Sequence, residues 1–268
     1  MSLRRFGVSV LALGGLAIST MTAHAAALVA QYDFANSLAS SVSGAPALTA
    51  VDPTGTSGFT TDTVFGASQT VYSFGGNATP VTNQGGLTFS NSSGLVGSSS
   101  YSVEMIFKLD DRANAWRRIL DTLNRTSDSG FYVDPANHLD IYPVSGSVLN
   151  FTSGTYYDIV LTNNNDVVTV YADGVGEFST TTAVMDISSD NLIGFFLDNT
   201  QGGGQGEWSA GSVAMISVYD GALTSDDVAR LFHENTTPGT TIPEPASLAL
   251  VGLGVLTVGA LRRRRPNV

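Results

Sequence analysis

Polar side chains with metal-binding and sugar-binding chemistry cluster in one segment near the end of the chain. Asp198 and Asn199 follow an apolar stretch, and a glycine-rich run separates them from Glu207 and Trp208. Carboxylate and amide oxygens are hard ligands of the kind that Ca²⁺ takes, and an indole can stack on a sugar ring. We therefore predict ligand binding by these four residues, with Asp198 and Glu207 as metal ligands and Ca²⁺ as the only expected cofactor.

Two alternatives stay open for this segment. Three side-chain oxygens are fewer than the about 6–8 ligands of Ca²⁺ unless carbonyls and waters complete the set, which favours a plain hairpin loop with a capping tryptophan. An ion bound near Asp121 or Asp128 is the other alternative. The second tryptophan, Trp116, lies in the mixed-charge segment 110–118. Surface packing with local ion pairs is expected there, and sugar binding is the alternative.

Few residues could support nucleophilic or acid–base catalysis. The chain has no cysteine, which excludes a thiolate nucleophile and a cysteine-based zinc site. His24 lies in an N-terminal targeting segment, and neither His138 nor His233 stands in a setting typical of a Ser-His-Asp triad. Glu104 is followed by residues 105–108 without a second carboxylate, whereas glycoside hydrolases need two. We therefore expect no enzymatic activity.

The charge balance argues against nucleic-acid binding. The whole chain has a formal charge of −11 and contains a single lysine, Lys108. When residues 1–25 and 243–268 are set aside, 6 basic and 22 acidic residues remain, and the charge of the body becomes −16. Contacts to phosphates need a basic face, and an anionic membrane surface also disfavours an acidic body. The charge suits a protein outside the cell and leaves carboxylates available for divalent cations.

Short alternating runs between glycine-rich and polar breaks predict β-strands along the whole body. The predicted strands are residues 29–34, 101–109, 118–122, 139–142, 157–162, 167–172, 177–182, 192–197 and 212–219. The run from Asn163 to Asp166 predicts a hairpin turn, as does the pair Asp173-Gly174, because these residues tolerate positive φ. About ten strands at this spacing predict an all-β protein, a sandwich of two antiparallel sheets.

One short helix is predicted after the last strand. Thr224 is placed as its N-cap with Asp227 at position N3, and Leu223 and Val228 are spaced for a hydrophobic staple. The apolar positions that follow predict a helix that ends near His233 and packs on a sheet edge.

The order of these segments resembles the laminin-G-like, concanavalin A-like jelly roll. The segments that carry the resemblance are residues 28–38, 72–76, 101–108, 156–161, 168–174, 211–219 and 222–224. The resemblance covers nearly the whole body and implies a two-sheet sandwich that binds sugars, glycoconjugates or proteins at a sheet face or rim, often with Ca²⁺. Some relatives on this sandwich are glycoside hydrolases. Where the family often has an acid, this chain has Ala214.

The end of the chain combines a Pro-Glu-Pro triplet, a short apolar run and an arginine cluster. The apolar run, residues 246–261, spans roughly 24 Å as a helix, which makes it a short transmembrane helix with the arginines on the cytoplasmic side. This order resembles the PEP-CTERM sorting tail of exported bacterial proteins, which implies processing by a membrane-embedded exosortase. The residues that match the motif are Pro243, Glu244, Pro245, Arg262, Arg263, Arg264 and Arg265.

The start of the chain is typical of a secretory signal peptide. Arg4 and Arg5 precede the uncharged apolar stretch 8–18, and Ala23 and Ala25 supply small residues at the cleavage positions. We therefore predict cleavage by signal peptidase after Ala25.

Together these patterns predict four parts: a signal peptide over 1–25, the sandwich over 26–235, a linker over 236–242 and the sorting and anchor segment over 243–268. The expected protein is exported, transiently anchored in the membrane by its C-terminal helix, and then found at the cell surface or outside the cell. Its expected role is non-catalytic adhesion or binding to an extracellular polysaccharide. The alternatives are a polysaccharide-directed glycoside hydrolase and a purely structural matrix protein.

Overall fold

The computed structural model of the protein describes residues 26–112 and 114–237. These residues form two antiparallel β-sheets and one C-terminal helix, which confirms the predicted all-β sandwich. No helix in this part of the chain is both long and apolar enough to cross a membrane. The predicted span over 246–261, the signal peptide and the sorting residues all lie outside the described residues.

The structure contains fifteen strands and one α-helix within these residues, more strands than the sequence predicts. In chain order they are β1 (Ala27–Tyr32), β2 (Thr49–Val51), β3 (Gly58–Val64), β4 (Ala67–Phe74), β5 (Gly86–Ser90), β6 (Ser100–Leu109), β7 (Arg117–Asp121), β8 (Gly130–Val133), β9 (Leu139–Tyr142), β10 (Ser145–Gly146), β11 (Tyr157–Asn164), β12 (Val167–Ala172), β13 (Val175–Thr181), β14 (Leu192–Phe195), β15 (Gly211–Asp220) and α1 (Ser225–Thr236). Two single 3₁₀ turns occupy Val81–Asn83 and Ala183–Met185.

The strands divide into an eight-stranded and a seven-stranded sheet. The first has the order β13-β12-β11-β6-β15-β4-β3, and β1 pairs with β15 on the side that β4 also uses. The second has the order β10-β9-β8-β7-β14-β5-β2. Neighbouring strands are antiparallel throughout, and most neighbours in space are distant in sequence, as in a jelly roll.

Two of the hairpin turns form where the sequence predicts them. β11 extends to Asn164, so the turn narrows to Asn165 and Asp166, which have φ angles of 50° and 69°. Asp173 and Gly174 form the second turn, with φ angles of 50° and 79°. Positive φ at both central positions matches the right-handed twist of the flanking strands, which is why asparagine, aspartate and glycine occupy them.

The core lies between the two sheets and is rich in aromatic rings. Phe196, which follows β14, stacks on Phe74 of β4 with ring centroids 4.2 Å apart and contacts Phe107 of β6 at 5.1 Å. All three side chains are fully buried. The left-handed φ of 59° at Phe196 turns the chain and ends β14 two residues earlier than predicted.

The predicted helix is present, and it contacts the edge strand β13, as predicted. It also extends over the outer face of the eight-stranded sheet, where Leu223 and Val228 form a cluster with Val160 of β11 and Tyr219 of β15. It ends at Thr236, three residues after the predicted end. In its last turn, Asn235 donates hydrogen bonds to two buried carboxylates of this sheet, which holds the end of the helix down.

Replacing Thr224 with Ala is expected to destabilise the protein by about 1 kcal/mol. The Thr224 hydroxyl accepts a hydrogen bond from the Asp227 amide, and the Asp227 carboxylate accepts one from the Thr224 amide. Urea unfolding of the variant measures the loss. The same substitution at the exposed residue Thr61, which caps no helix, should have a smaller effect, and equal losses at the two sites would contradict the capping box.

Candidate ligand-binding site

The four predicted binding residues lie in the connection from β14 to β15, but the structure gives them different environments. Asp198 and Asn199 are fully buried, Glu207 is half-buried and Trp208 is 3% exposed. The exposed part of the connection is the run over 200–205 between them. The exposed middle of the connection therefore covers the buried Asp198 and Asn199, and the predicted binding side chains are not displayed together at the surface.

Asp198 fastens this loop. Its Oδ2 accepts hydrogen bonds from the amides of Gly206 and Glu207 at 2.7 and 2.8 Å. Its Oδ1 has no hydrogen-bond partner and lies 3.7 Å from Nε of Arg118. Burial raises the pKa of Asp198, and the charge of Arg118 opposes that rise. The side chain closes the two ends of the loop onto each other.

Asn199 holds the middle of the same loop. Its Nδ2 donates to the carbonyl oxygens of Gln201 and Gly203 at 2.7 and 2.8 Å, while its Oδ1 is buried without a donor. The loop also lies directly on Asp128: a Cβ at Gly204, where φ is 66°, would come 2.2 Å from Oδ1 of Asp128. Glycine is required there because the backbone approaches the carboxylate so closely.

Trp208 does not have the predicted role in ligand stacking. Its ring belongs to the hydrophobic core, and its Nε1 donates to the carbonyl oxygen of Gly85 at 2.9 Å. A ring that is 3% exposed cannot stack on a sugar at the surface. Its position agrees with the alternative interpretation, in which the tryptophan caps the loop and packs on the sheets.

Arg118 organises the acidic residues around the loop, and the sequence analysis did not identify it. The side chain is 1% exposed, pairs with Asp121 through Nη1 and donates to the Tyr132 hydroxyl through Nε at 2.6 Å. Its Nη2 donates to two main-chain carbonyls at Ser127 and Ser129. The segment 110–118 was expected to form surface ion pairs, but its last two residues begin β7 and are buried. No local sequence pattern marks a buried arginine of this kind.

Asp128 and Glu207 form a second acidic pair beside Arg118. Asp128 is 79 positions away from Glu207 in the sequence, and its charge acts on the Glu207 carboxyl group. Burial, with the charges of Asp128 and Asp198 adding to it, raises the pKa of Glu207 to about 8. Glu207 therefore holds its proton at neutral pH.

An aromatic surface lies next to these acids on the outer face of the seven-stranded sheet. Trp116 makes edge-to-face contacts with Tyr132 and Tyr142, with ring centroids 5.6 and 5.4 Å apart. Tyr132 pairs across the strands with Arg118 on one side and Asp140 on the other. Trp116 is half-buried and Tyr142 is 37% exposed. Burial and the charge of Asp134 raise the pKa of Asp140 to about 6.

Ala214 belongs neither to the acidic residues around Arg118 nor to the aromatic residues around Trp116. It falls at a bulge in β15, where the pairing with β6 shifts between Val213 and Met215. Ala214 packs with Ile106 and Tyr156 in a small apolar cluster of the eight-stranded sheet, separate from the main core. An alanine there completes an apolar contact and lines a cavity of about 190 Å³ together with Ile106 and Met215.

Family comparisons match the chain in two places. The laminin-G-type profile described as the concanavalin A-like lectin/glucanases superfamily matches residues 81–229, and the PEP-CTERM protein-sorting motif matches residues 241–265. The chain therefore belongs to the concanavalin A-like lectin/glucanases superfamily and carries a PEP-CTERM sorting motif, which confirms both resemblances. The motif indicates an exported protein that exosortase processes and sorts to the cell surface.

Solved structures share the fold at low sequence identity. Domain 4 of AbnA, a GH43 extracellular arabinanase from Geobacillus stearothermophilus solved in complex with arabinotriose, is 20% identical with a TM-score of 0.54, and the match covers 78% of this chain and 99% of that one. A structure of botulinum neurotoxin type C, whose cell entry depends on two ganglioside molecules, is 12% identical with a TM-score of 0.51, covering 78% and 51% of the chains. A comparison with curated protein sequences gives no match.

Proposed function

We propose that the protein is a non-catalytic, cell-surface adhesion module that binds a neutral extracellular polysaccharide on the outer face of its seven-stranded sheet. The observation that carries the proposal is the pair of accessible rings Trp116 and Tyr142, which pack around the fully buried ring of Tyr132. Aromatic rings stack on the apolar faces of sugars, and the half-buried Asp140, the cross-strand neighbour of Tyr132, can fix a sugar's orientation.

The charge of the body supports a neutral glycan over an acidic one. A body of charge −16 repels a polyanion, most strongly at low ionic strength, where salt screens surface charges least. A related fold adds a precedent: domain 4 of the arabinanase was solved in complex with arabinotriose, an uncharged saccharide. Delivery to the cell surface by the sorting motif places such a module where polysaccharides occur.

The sequence supports binding over hydrolysis. Glycoside hydrolases use a pair of carboxyl groups at set separations, and residues 105–108 after Glu104 supply no second carboxylate.

Trp116→Ala and Tyr142→Ala are each expected to weaken glycan binding about tenfold or more, because each removes a stacking surface worth about 1.4 kcal/mol or more. The measurement is a glycan array with neutral and acidic polysaccharides, followed by titration of the best ligand. Val148→Ala is the matched control, since Val148 is 87% exposed and lies outside the aromatic contacts. An array without neutral ligands, or equal affinities for all three variants, would overturn the proposal.

A further inference from the structure

We propose that the apolar cavity beside the end of α1, on the outer face of the eight-stranded sheet, is the docking site for the side chain of Ile242. This residue belongs to the linker that joins the body to the sorting triplet, and residues 238–242 lie outside the described part of the chain. The inference is independent of glycan binding, because it concerns the other sheet.

The first observation is the cavity itself, which has a volume of about 190 Å³. Its lining includes Val64, Ile106 and Ala214, each at most 4% exposed, and the partly buried Met215. These side chains belong to an apolar cluster that is separate from the main core. An apolar cavity of about 150 Å³ takes up a guest the size of benzene. The cavity beside α1 therefore accommodates one branched aliphatic side chain.

The second observation is the turn between β3 and β4, which forms one wall of the cavity. Phe65 lines the cavity, has a φ angle of 48°, and packs edge-to-face on Phe232 of α1 with ring centroids 6.0 Å apart. A left-handed φ is costly for a bulky residue and persists only where the surrounding structure fixes it. The hairpin and the helix thus hold the cavity open between them.

The third observation is the place where the chain leaves the described residues. Thr236, the last residue of α1, and Thr237 both line the cavity. The segment that follows therefore starts at the cavity wall. A group tethered by a few residues has an effective concentration of the order of millimolar, so the chain's own linker has an advantage over any dilute ligand or second molecule.

The sequence of the linker favours a return toward the cavity. Pro238 and Gly239 are the residues that a type II turn prefers at its two central positions. Such a turn brings the Cα atom of Thr240 to within about 7 Å of that of Thr237, and two further residues span at most about 7 Å. Ile242 is the only large aliphatic side chain within 238–242, and it lies within reach of the cavity.

Docking ties the sorting tail to the folded state of the body. The cavity is lined by residues of β4, β6, β15 and α1, so it forms only when these elements are assembled. Removal of an aliphatic side chain from water favours the docked arrangement. Pro243, the first residue of the sorting triplet, directly follows Ile242, and docking therefore places the triplet beside the sheet.

Crosslinking tests the docking directly, because the chain has no cysteine and engineered pairs react without background. The test pair in the full-length chain is Ile242→Cys with Ala67→Cys, since Ala67 is exposed and lines the cavity. The matched control is Ile242→Cys with Val148→Cys, because Val148 is 87% exposed and follows the edge strand of the other sheet. We expect a short bis-maleimide to join the test pair about tenfold faster than the control pair, and urea to remove the difference.

Equal crosslinking rates in the two pairs would overturn the proposal. Crosslinks between two molecules would overturn it as well, because they would assign the cavity to a second copy of the chain. The melting temperature supplies a second measurement without cysteines. Ile242→Ala should lower it by about 2–6 °C by taking the aliphatic side chain out of the cavity, whereas Thr241→Ala should leave it unchanged. Equal melting temperatures for these two variants would contradict docking.

Discussion

Asp158→Asn is expected to raise the melting temperature of the protein at pH 8 and to flatten its dependence on pH. Asp158 of β11 and Glu104 of β6 are 2% and 1% exposed beneath α1. Nδ2 of Asn235 donates to both carboxylates at 2.9 Å, and the Tyr219 hydroxyl donates to Glu104 at 2.7 Å. Oδ1 of Asp158 has no partner, so one of the two buried acids is incompletely satisfied.

The charged groups around this pair are all acidic. Asp173, in the turn after β12, and Glu234, on α1, act on the pair as further negative charges. No salt bridge in the described residues reaches Glu104 or Asp158. Burial raises the pKa of both groups, and for Asp158 the charge of Glu104 adds to the rise.

The sign of the pH effect follows from the raised pKa values. The folded protein binds these protons more tightly than the unfolded chain, so the stabilisation is complete below the unfolded pKa, near 4, and is lost as the pH rises through the folded pKa. The window therefore begins at about pH 4 and extends upward. An asparagine at position 158 imitates the protonated acid, because it carries no charge at any pH.

Thermal melting between pH 4 and pH 9 measures the effect. We expect a gain of about 3–8 °C for Asp158→Asn at pH 8 and little change at pH 4, since relief of a buried, unpaired charge is worth about 1–3 kcal/mol. Asp110→Asn is the matched control because Asp110 is exposed. Parallel pH curves for the parent chain and Asp158→Asn would contradict the prediction.

Arg118→Met is expected to destabilise the protein by about 3–5 kcal/mol, because removal of one partner leaves buried charges uncompensated. Arg118 compensates Asp121, which is 1% exposed, and faces Asp198, which is fully buried. Methionine fills a similar volume, so the loss comes from charge and hydrogen bonding and not from a cavity. Urea unfolding of both proteins gives the difference in the free energy of unfolding.

A second substitution separates the electrostatic loss from a packing loss. Asp121→Asn in the Arg118→Met background should recover part of the stability, because it removes one of the stranded charges. Arg230→Ala serves as the control arginine: its side chain is 56% exposed and pairs with Asp227 and Glu234 on α1, so it should change stability by less than about 1 kcal/mol. If Arg118→Met were as mild as this control, Arg118 would not organise the cluster.

Local patterns in the sequence predicted the local features of the fold. The capping box at Thr224 and the hairpin turn at Asp173-Gly174 depend on neighbours within a few positions, so residue type alone identifies them. The strands over 49–51, 58–64, 67–74, 86–90, 130–133 and 145–146 were not predicted. Several of these, such as the Thr-rich β3, have little of the apolar alternation that identifies strands.

The candidate site depends on contacts that local patterns do not contain. The sequence pointed to the right loop, because its acids and glycines are neighbours in the chain. It did not reveal that Asp128 comes from a different loop, that Arg118 is buried, or that Trp208 belongs to the core. These three features depend on the pairing of β7 with β14 and of β15 with β4. Such pairings join strands that are distant in the sequence, so local patterns do not predict them.

The position of α1 also determines how the protein would respond to mechanical tension. The first strand, β1, pairs with β15, and α1 follows β15, so both ends of the body meet at one strand. A pull on the C-terminal tail would reach the two hydrogen bonds of Asn235 first and then the contacts of Leu223 and Val228. The helix would detach from the sheet turn by turn at low force, while the interior strand β15 would stay hydrogen-bonded to its neighbours in the sheet. A tethered molecule would thus lengthen through α1 before the sandwich bears the strain.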